Sequence, residues 1–264
     1  MSKTATILGC GSSGGVPRVG GDWGLCDPAN AKNLRLRCSL LLEQQSAAGV
    51  TRVVIDTSPD MRAQMLAADV KTLDGAWYTH EHADHTHGID ELRGYFLMQR
   101  KRVPIWADTQ TADMLRTRFA YCFMSLPGSD YPPVLGLNGI VAGTALNTKG
   151  AGGVISGMPF EVQHGQIRAL GFRVGNLAYT PDLDGVPDES IKHLEGLDTW
   201  IVDALRRAPH PSHFSLSQTL TWIERLKPKR AVLTNMHVDL DYATLLGELP
   251  SHVVPAFDGM KISF

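Results

Sequence analysis

An α/β fold, in which a mixed β-sheet is covered by helices, is predicted by three features of this 264-residue chain. Short runs of branched apolar residues recur along its whole length. Stretches with helical spacing lie between many of them. In the middle of the chain, successive runs are close enough to pair as hairpins, so the sheet is expected to mix strand directions.

The elements follow in order. Residues 4–8 read as a strand that runs into the loop 9–15, Gly-Cys-Gly-Ser-Ser-Gly-Gly. The loop lacks the Lys-Ser/Thr of a P-loop and no helical pattern follows it, so it reads as a tight turn on the rim of a site. Residues 38–43 and 52–56 read as strands. Pro59 suits the start of a helix, with Ser58 as its N-cap and Met61, Met65 and Leu66 on one face. A short apolar run at 75–79 leads straight into a histidine cluster. Further strands are expected at 103–107, 159–163, 168–174, 177–180, 199–203, 231–234 and 261–264, and helices at 109–123, 215–226 and 242–249. The glycine-rich stretch 136–157 reads as a flexible loop inside one domain spanning 1–264, because candidate ligands lie on both sides of it.

Composition narrows the function. Hydrophobic residues make up 43% and charged residues 20%, enough apolar material for an ordinary core. The formal charge is −2, which supplies no bulk attraction to nucleic acid or to an anionic membrane surface. No run approaches the length of a membrane span, and the first residues are too weakly apolar for a signal peptide. Cys10, Cys26, Cys38 and Cys122 are dispersed, without CxxC spacing, and read as reduced thiols. A cytoplasmic enzyme is the expectation.

The chemistry is carried by His80-Glu81-His82-Ala83-Asp84-His85. Imidazole and carboxylate are the donors that divalent zinc, manganese or iron prefer. Residues two apart on extended backbone project to one side, so His80 and His82 can grip one ion together. A following turn can swing Asp84 and His85 toward a second. His87, His193 and His252 show no comparable spacing and read as structural.

The run HxHxDH resembles the signature of the metallo-β-lactamase superfamily. The resemblance implies a four-layered αβ/βα sandwich, two mixed sheets flanked by helices, with two divalent ions, zinc or manganese, at one edge. It further implies that each later ligand stands just beyond a different strand. His164, Asp182 and His237 occupy such positions, with Asp182 as the metal-bridging carboxylate. Relatives that place the last ligand directly after the Leu-Thr pair have it where Asn235 stands here. Asp56 resembles the early aspartate that supports the histidine loop.

Within the superfamily, the opening Leu-Gly-Cys-Gly-Ser-Ser-Gly-Gly-Val-Pro, the Ser58-Pro59-Asp60-Met61-Arg62 turn and the segment around His213 resemble the PhnP-type phosphodiesterases, which open a cyclic ribose phosphate. The first two features also resemble the PqqB proteins. One departure stands out: the cysteine-rich zinc site of PhnP proteins meets here a region with the single thiol Cys26, so that site is expected to be absent.

The resemblance implies attack by a metal-bridging hydroxide, with Asp84 among the groups that hold the reacting centre and His213 as the acid for the leaving oxygen. Two divalent ions, less Asp84, Asp182 and hydroxide, leave a net charge near +1, suited to an anionic phosphodiester. His210 competes for the acid role, and Arg93, Arg206 and Arg207 are candidate phosphate contacts. The expected partner is a small phosphate ester, and a homodimer is compatible with the reading. A tRNA 3′-processing nuclease and a non-catalytic PqqB-like accessory protein are the alternatives. The acidic balance counts against the first, and the complete ligand set against the second.

Overall fold

Side-chain alternation along two central strands sets the architecture. In β2 (Ser39–Ser46), Leu40 and Leu42 enter one hydrophobic cluster while Leu41 enters another. In β3 (Gly49–Ile55), Val53 and Ile55 join the first cluster and Val54 the second. Period-two strands therefore present apolar side chains on both faces, and such a sheet must be covered on both. The computed structural model describes residues 2–264 apart from residue 126.

The first sheet has the order β14-β1-β2-β3-β4-β5-β6, with β1 (Ser2–Gly9), β4 (Gly75–Trp77), β5 (Val103–Ala107), β6 (Leu135–Gly139) and β14 (Lys261–Ser263). The second runs β13-β12-β11-β10-β9-β8-β7, with β7 (Leu146–Gly150), β8 (Gly153–His164), β9 (Ile167–Val174), β10 (Leu177–Thr180), β11 (Thr199–Asp203), β12 (Arg230–Thr234) and β13 (Val253–Pro255). Each sheet has an antiparallel half and a parallel half, the parallel runs being β3 to β6 and β10 to β13.

Trp77 and Phe172 pack between the sheets with ring centroids 5.4 Å apart. Helices α1 (Met61–Ala67), α3 (Leu92–Gln99) and α4 (Thr109–Arg118) bury Met65, Tyr95 and Leu115 in the cluster on the far face of the first sheet. Helices α7 (Leu216–Leu226) and α8 (Tyr242–Glu248) bury Ile223 and Leu245 in the other cluster. Two short helices, α2 (Ala83–Thr86) and α6 (Asp188–Ile191), complete connections, and α5 (Ala120–Phe123) follows α4. The result is the four-layered αβ/βα sandwich that the resemblance implies.

Three expectations need correction. The helix expected to start at Pro59 with Ser58 as its cap begins instead at Met61 with Asp60 at the N-cap, and Leu66 is exposed while Met61 and Met65 are buried. The helix expected over 109–123 breaks at Phe119, whose φ of −129° and ψ of 40° separate α4 from α5. The stretch 136–157 is not a flexible loop but supplies β6, β7 and the start of β8. Gly150, Gly152 and Gly157 serve close approach. A Cβ on Gly157 would come within 2.5 Å of the Trp77 ring, and one on Gly150 within 2.5 Å of the Asp74 carboxylate. At these positions glycine reflects backbone packed against the first sheet.

Candidate metal centre

The parallel strands of both sheets end at the same edge, where open α/β sheets gather their functional groups. Asp56 follows β3, the histidine run follows β4, Asp182 follows β10, Asp203 ends β11 and Asn235 follows β12. His164 ends β8.

Asp56 organises the histidine loop. Its backbone is left-handed at φ 64°, a conformation to which Asp is better suited than most residues. The buried carboxylate accepts from the backbone N–H of Thr79 (2.8 Å) and the Thr79 hydroxyl (2.8 Å), and pairs with His85 Nδ1 at 2.7 Å. The Thr79 hydroxyl in turn lies 2.9 Å from His80 Nδ1. These contacts fix both rings and leave their Nε2 atoms facing the cluster, as supporting carboxylates commonly do around metal sites.

Ligand-type atoms of His80, His82, His164 and Asp182 all lie within 4.8 Å of one another. His82 Nδ1 is 3.0 Å from His80 Nε2 and 3.2 Å from His164 Nε2. Asp182 Oδ2 is 3.7 Å from His80 Nε2 and 3.6 Å from His164 Nε2. A tetrahedron with bonds of about 2.0–2.1 Å has edges of about 3.3 Å, so this spacing suits one divalent ion. His164 Nδ1 is anchored on the Ser212 carbonyl at 2.6 Å, which orients its Nε2 inward.

Beside this group, His85 Nε2 lies 3.2 Å from Asp182 Oδ1 and 3.5 Å from Asp84 Oδ2. It is fully buried and has no hydrogen-bond partner among the described residues. An orphaned imidazole nitrogen between two carboxylates fits a second cation, since buried polar atoms otherwise find partners. Protonation behaviour agrees. Burial pushes His80 and His164 below the ordinary histidine value, toward the neutral ligand form. Burial opposes charge on His85 as well, but Asp182, Asp84 and Asp56 outweigh it and favour its imidazolium form. Burial likewise opposes charge on Asp182, and the surrounding His85, His213 and His80 hold it well below the carboxylate range.

Of the seven candidate ligands, six are brought together. The exception is His237. It lines the same pocket, yet its Nδ1 is 3.0 Å from Asp239 and its Nε2 is capped by the Arg18 guanidinium. The residue beyond β12 that touches Asp182 is Asn235, with Nδ2 3.3 Å from Oδ1. His237 is two residues further along, after the chain has turned at the left-handed Asn235 (φ 59°).

His213 lies across the pocket, its Nδ1 2.8 Å from the fully buried Asp203 and its Nε2 3.9 Å from Asp182. Burial disfavours the imidazolium, but Asp203 and Asp182 outweigh it and raise His213 to about 9. Burial pushes Asp203 up to about 7, although His213 pulls it down. The sequence reading missed Asp203. Its signal was present, a carboxylate ending an apolar parallel strand, as Asp56 does beyond β3. His210 lines the pocket but has no such carboxylate, and its Nδ1 accepts from the Ser212 N–H at 3.3 Å. Ser215 caps α7 in a capping box with Gln218, which seats the His213 loop at the helix entrance.

The pocket encloses about 460 Å³, within the range of small-ligand sites. Ser12, Ser13 and Gly14 form one wall, so the 9–15 loop stands on the rim. Among the three candidate arginines only Arg206 reaches the pocket, and its guanidinium donates to the Ala208 and Pro209 carbonyls. Arg93 pairs with Asp90 and Arg207 with Glu248, both elsewhere. Arg18, overlooked in the sequence, lines the pocket. Cys26 is buried, its thiol donating to the Val238 carbonyl. No helix among the described residues is long and apolar enough to cross a membrane.

Comparison with known proteins accords with this geometry. A curated octanoyltransferase from Porphyromonas gingivalis is 30% identical over 260 residues, covering 97% of this chain, which spans 50% of that relative's length. A crystal structure of a diphosphatase from the PhnP family is 34% identical, covers 100% of this chain and 98% of its own, and superposes with a TM-score of 0.89. Zinc-bound PqqB from Methylobacterium extorquens (16% identity, 99% and 100% coverage, TM-score 0.72) and the short form of human tRNase Z (18%, 98% and 98%, 0.64) share the fold. The profile of the beta-lactamase superfamily domain matches residues 51–236. The chain belongs to the beta-lactamase superfamily, with the metallo-β-lactamase fold.

Proposed function

We propose that this chain is a dinuclear metal-dependent phosphodiesterase that opens a small cyclic phosphate of phosphoribosyl or nucleotide-like type. The observation that carries the reading is His213, held by Asp203 across the pocket from the His80–His82–His164–Asp182 group. Bound divalent ions would supply Lewis acidity and an activated water. His80, His82, His164 and Asp182 would hold one ion, with Asp84, His85 and Asp182 toward the other. Asp203 accepts from Nδ1–H of His213, so Nε2 is the atom that delivers a proton to the departing oxygen. A strained ring phosphate leaves an alkoxide on its own sugar, and that alkoxide needs such a proton. Arg18 and the Ser12–Gly14 wall offer donors to the remaining phosphate oxygens.

The 34%-identical diphosphatase supports a second reading, hydrolysis of a small phosphoanhydride. Both readings place phosphorus at the same centre, and the leaving groups differ. The natural partner in either case is a small phosphate compound, with neither nucleic acid nor membrane required.

The test is a substrate panel with added manganese or zinc. It contains cyclic nucleotides, bis(p-nitrophenyl) phosphate, a nucleoside diphosphate derivative and a tRNA precursor. Ring opening of a cyclic phosphate is expected. Cleavage of the anhydride alone would select the second reading. Cleavage of the tRNA precursor alone would select a nuclease. Inertness toward all four would favour the accessory-protein alternative.

A further inference from the structure

The two sides of the metal cluster do not offer equal donor sets. On one side three imidazoles and Asp182 converge at tetrahedral spacing. On the other, His85 and Asp84 approach Asp182, and the residue that closes this side is Asn235. The Asn235 amide nitrogen lies 3.3 Å from Asp182 Oδ1, 3.2 Å from Asp203 Oδ1 and 3.2 Å from His213 Nδ1. An amide nitrogen donates hydrogen bonds and has no lone pair to give a cation.

Turning the amide over would present a neutral carbonyl oxygen. That donor suits magnesium or calcium better than the metals imidazole prefers. It would also remove the Asn235 hydrogen bond from two buried carboxylates, Asp182 and Asp203. His237, the imidazole nearest in sequence, faces Asp239 and the Arg18 guanidinium instead. The backbone supplies a reason for asparagine here: φ is 59°, a left-handed value at which Asn, Asp and His are favoured among residues with a side chain.

On the metal reading proposed above, we infer that the two ions are held unequally. One is bound tightly by His80, His82, His164 and Asp182. The other is bound weakly by Asp84, His85 and Asp182, and exchanges with free metal. Occupancy of the second position, and with it the full charge of the centre, therefore follows the ambient concentration of the divalent ion.

The experiment measures metal content. Protein loaded with zinc or manganese is dialysed against metal-free buffer, and bound metal per chain is read by mass spectrometry. Titration calorimetry then follows re-addition of the same metal. The wild type is expected to retain a single ion and to show a separate, weaker binding step. Asn235→Asp, nearly isosteric, replaces the amide with an anionic oxygen donor. It should tighten the second step by at least the order of 10–100-fold that supporting residues contribute at metal sites. Asn235→His, compatible with the backbone angle, serves as the second variant, and circular dichroism checks that each is folded. His82→Ala should lose the retained ion, whereas Asp84→Ala should keep it.

Two equally retained ions in the wild type would overturn the inference while leaving the dinuclear reading intact. An unchanged second step in both folded Asn235 variants would also overturn it. Failure to bind any ion, even with excess metal, would instead remove the metal reading itself, and the inference with it.

Discussion

Replacing His213 with alanine separates a leaving-group acid from a residue that merely binds phosphate. In the native chain the Asp203 carboxylate accepts from His213 Nδ1 at 2.8 Å, the Leu183 N–H at 3.2 Å and the Asn235 amide at 3.2 Å. His213→Ala removes the shortest of these contacts and keeps the other two. The stability cost is therefore expected at about 1–3 kcal/mol, the usual consequence of unpairing one buried polar group. That is within the roughly 5–15 kcal/mol that holds a typical domain folded. The variant should fold and keep its metal, since His213 stands outside the His80–His82–His164–Asp182 group.

The rate effect should be larger. Loss of a general acid costs about 10²–10⁴-fold, or roughly 3–5 kcal/mol of barrier. It should appear in full only where the leaving oxygen is a sugar alkoxide. With p-nitrophenolate, which departs without a proton, the loss should shrink to about tenfold or less. The assay is a pair of kcat ratios, wild type over variant, on a cyclic nucleotide and on bis(p-nitrophenyl) phosphate. Equal losses on the two substrates would refute the acid role and leave phosphate binding. Loss of bound metal would place His213 among the ligands.

Three further outcomes are expected. Asp182→Ala should abolish hydrolysis and lower metal retention, because Asp182 faces both sides of the cluster; near-normal turnover would mean that no bridge depends on it. Asp56→Ala should destabilise the metal-free protein by about 3–5 kcal/mol in chemical denaturation, since His85 and two Thr79 donors lose a buried anionic partner; a change below about 1 kcal/mol would show that the pair with His85 is dispensable. Burial opposes charge on Asp241, but the Thr244 N–H, the Asn33 amide and the Asp27 N–H outweigh it and lower its pKa to about 2. A depressed carboxylate stabilises the fold above its unfolded value near pH 4 and ceases to as pH falls through about 2. Solvent screening discounts the full shift, so wild type should exceed Asp241→Ala by about 1 kcal/mol at neutral pH and lose the acid-sensitive part of that advantage between about pH 4 and 2. A difference independent of pH would refute the assignment.

Local sequence patterns determined much of this protein. Runs of branched apolar residues at 38–43 and 52–56 marked two strands. The helical spacing of residues 215–226 marked α7. The dense run His80 to His85 marked a metal-type site without any knowledge of the fold, because six consecutive residues cannot separate in space. His164, Asp182 and His213 became legible only through resemblance. Each is a lone residue at the end of a different element, and nothing local says that those ends meet.

Only tertiary structure decided the remainder. The glycines of 136–157 carry no sequence mark that separates flexible loop from close-packed strand; the Trp77 ring against Gly157 settles it. Which of Asn235 and His237 faces Asp182 follows from a single left-handed residue, which directs the amide toward Asp182 and the imidazole toward Arg18 and Asp239. Asp203 and Arg18 likewise acquire their places from strands and hairpins far apart in the chain. Spacing along a sequence constrains contacts within a turn or a strand. The meeting of separate strand ends at one edge is set by the register and twist of two whole sheets, which no short segment encodes.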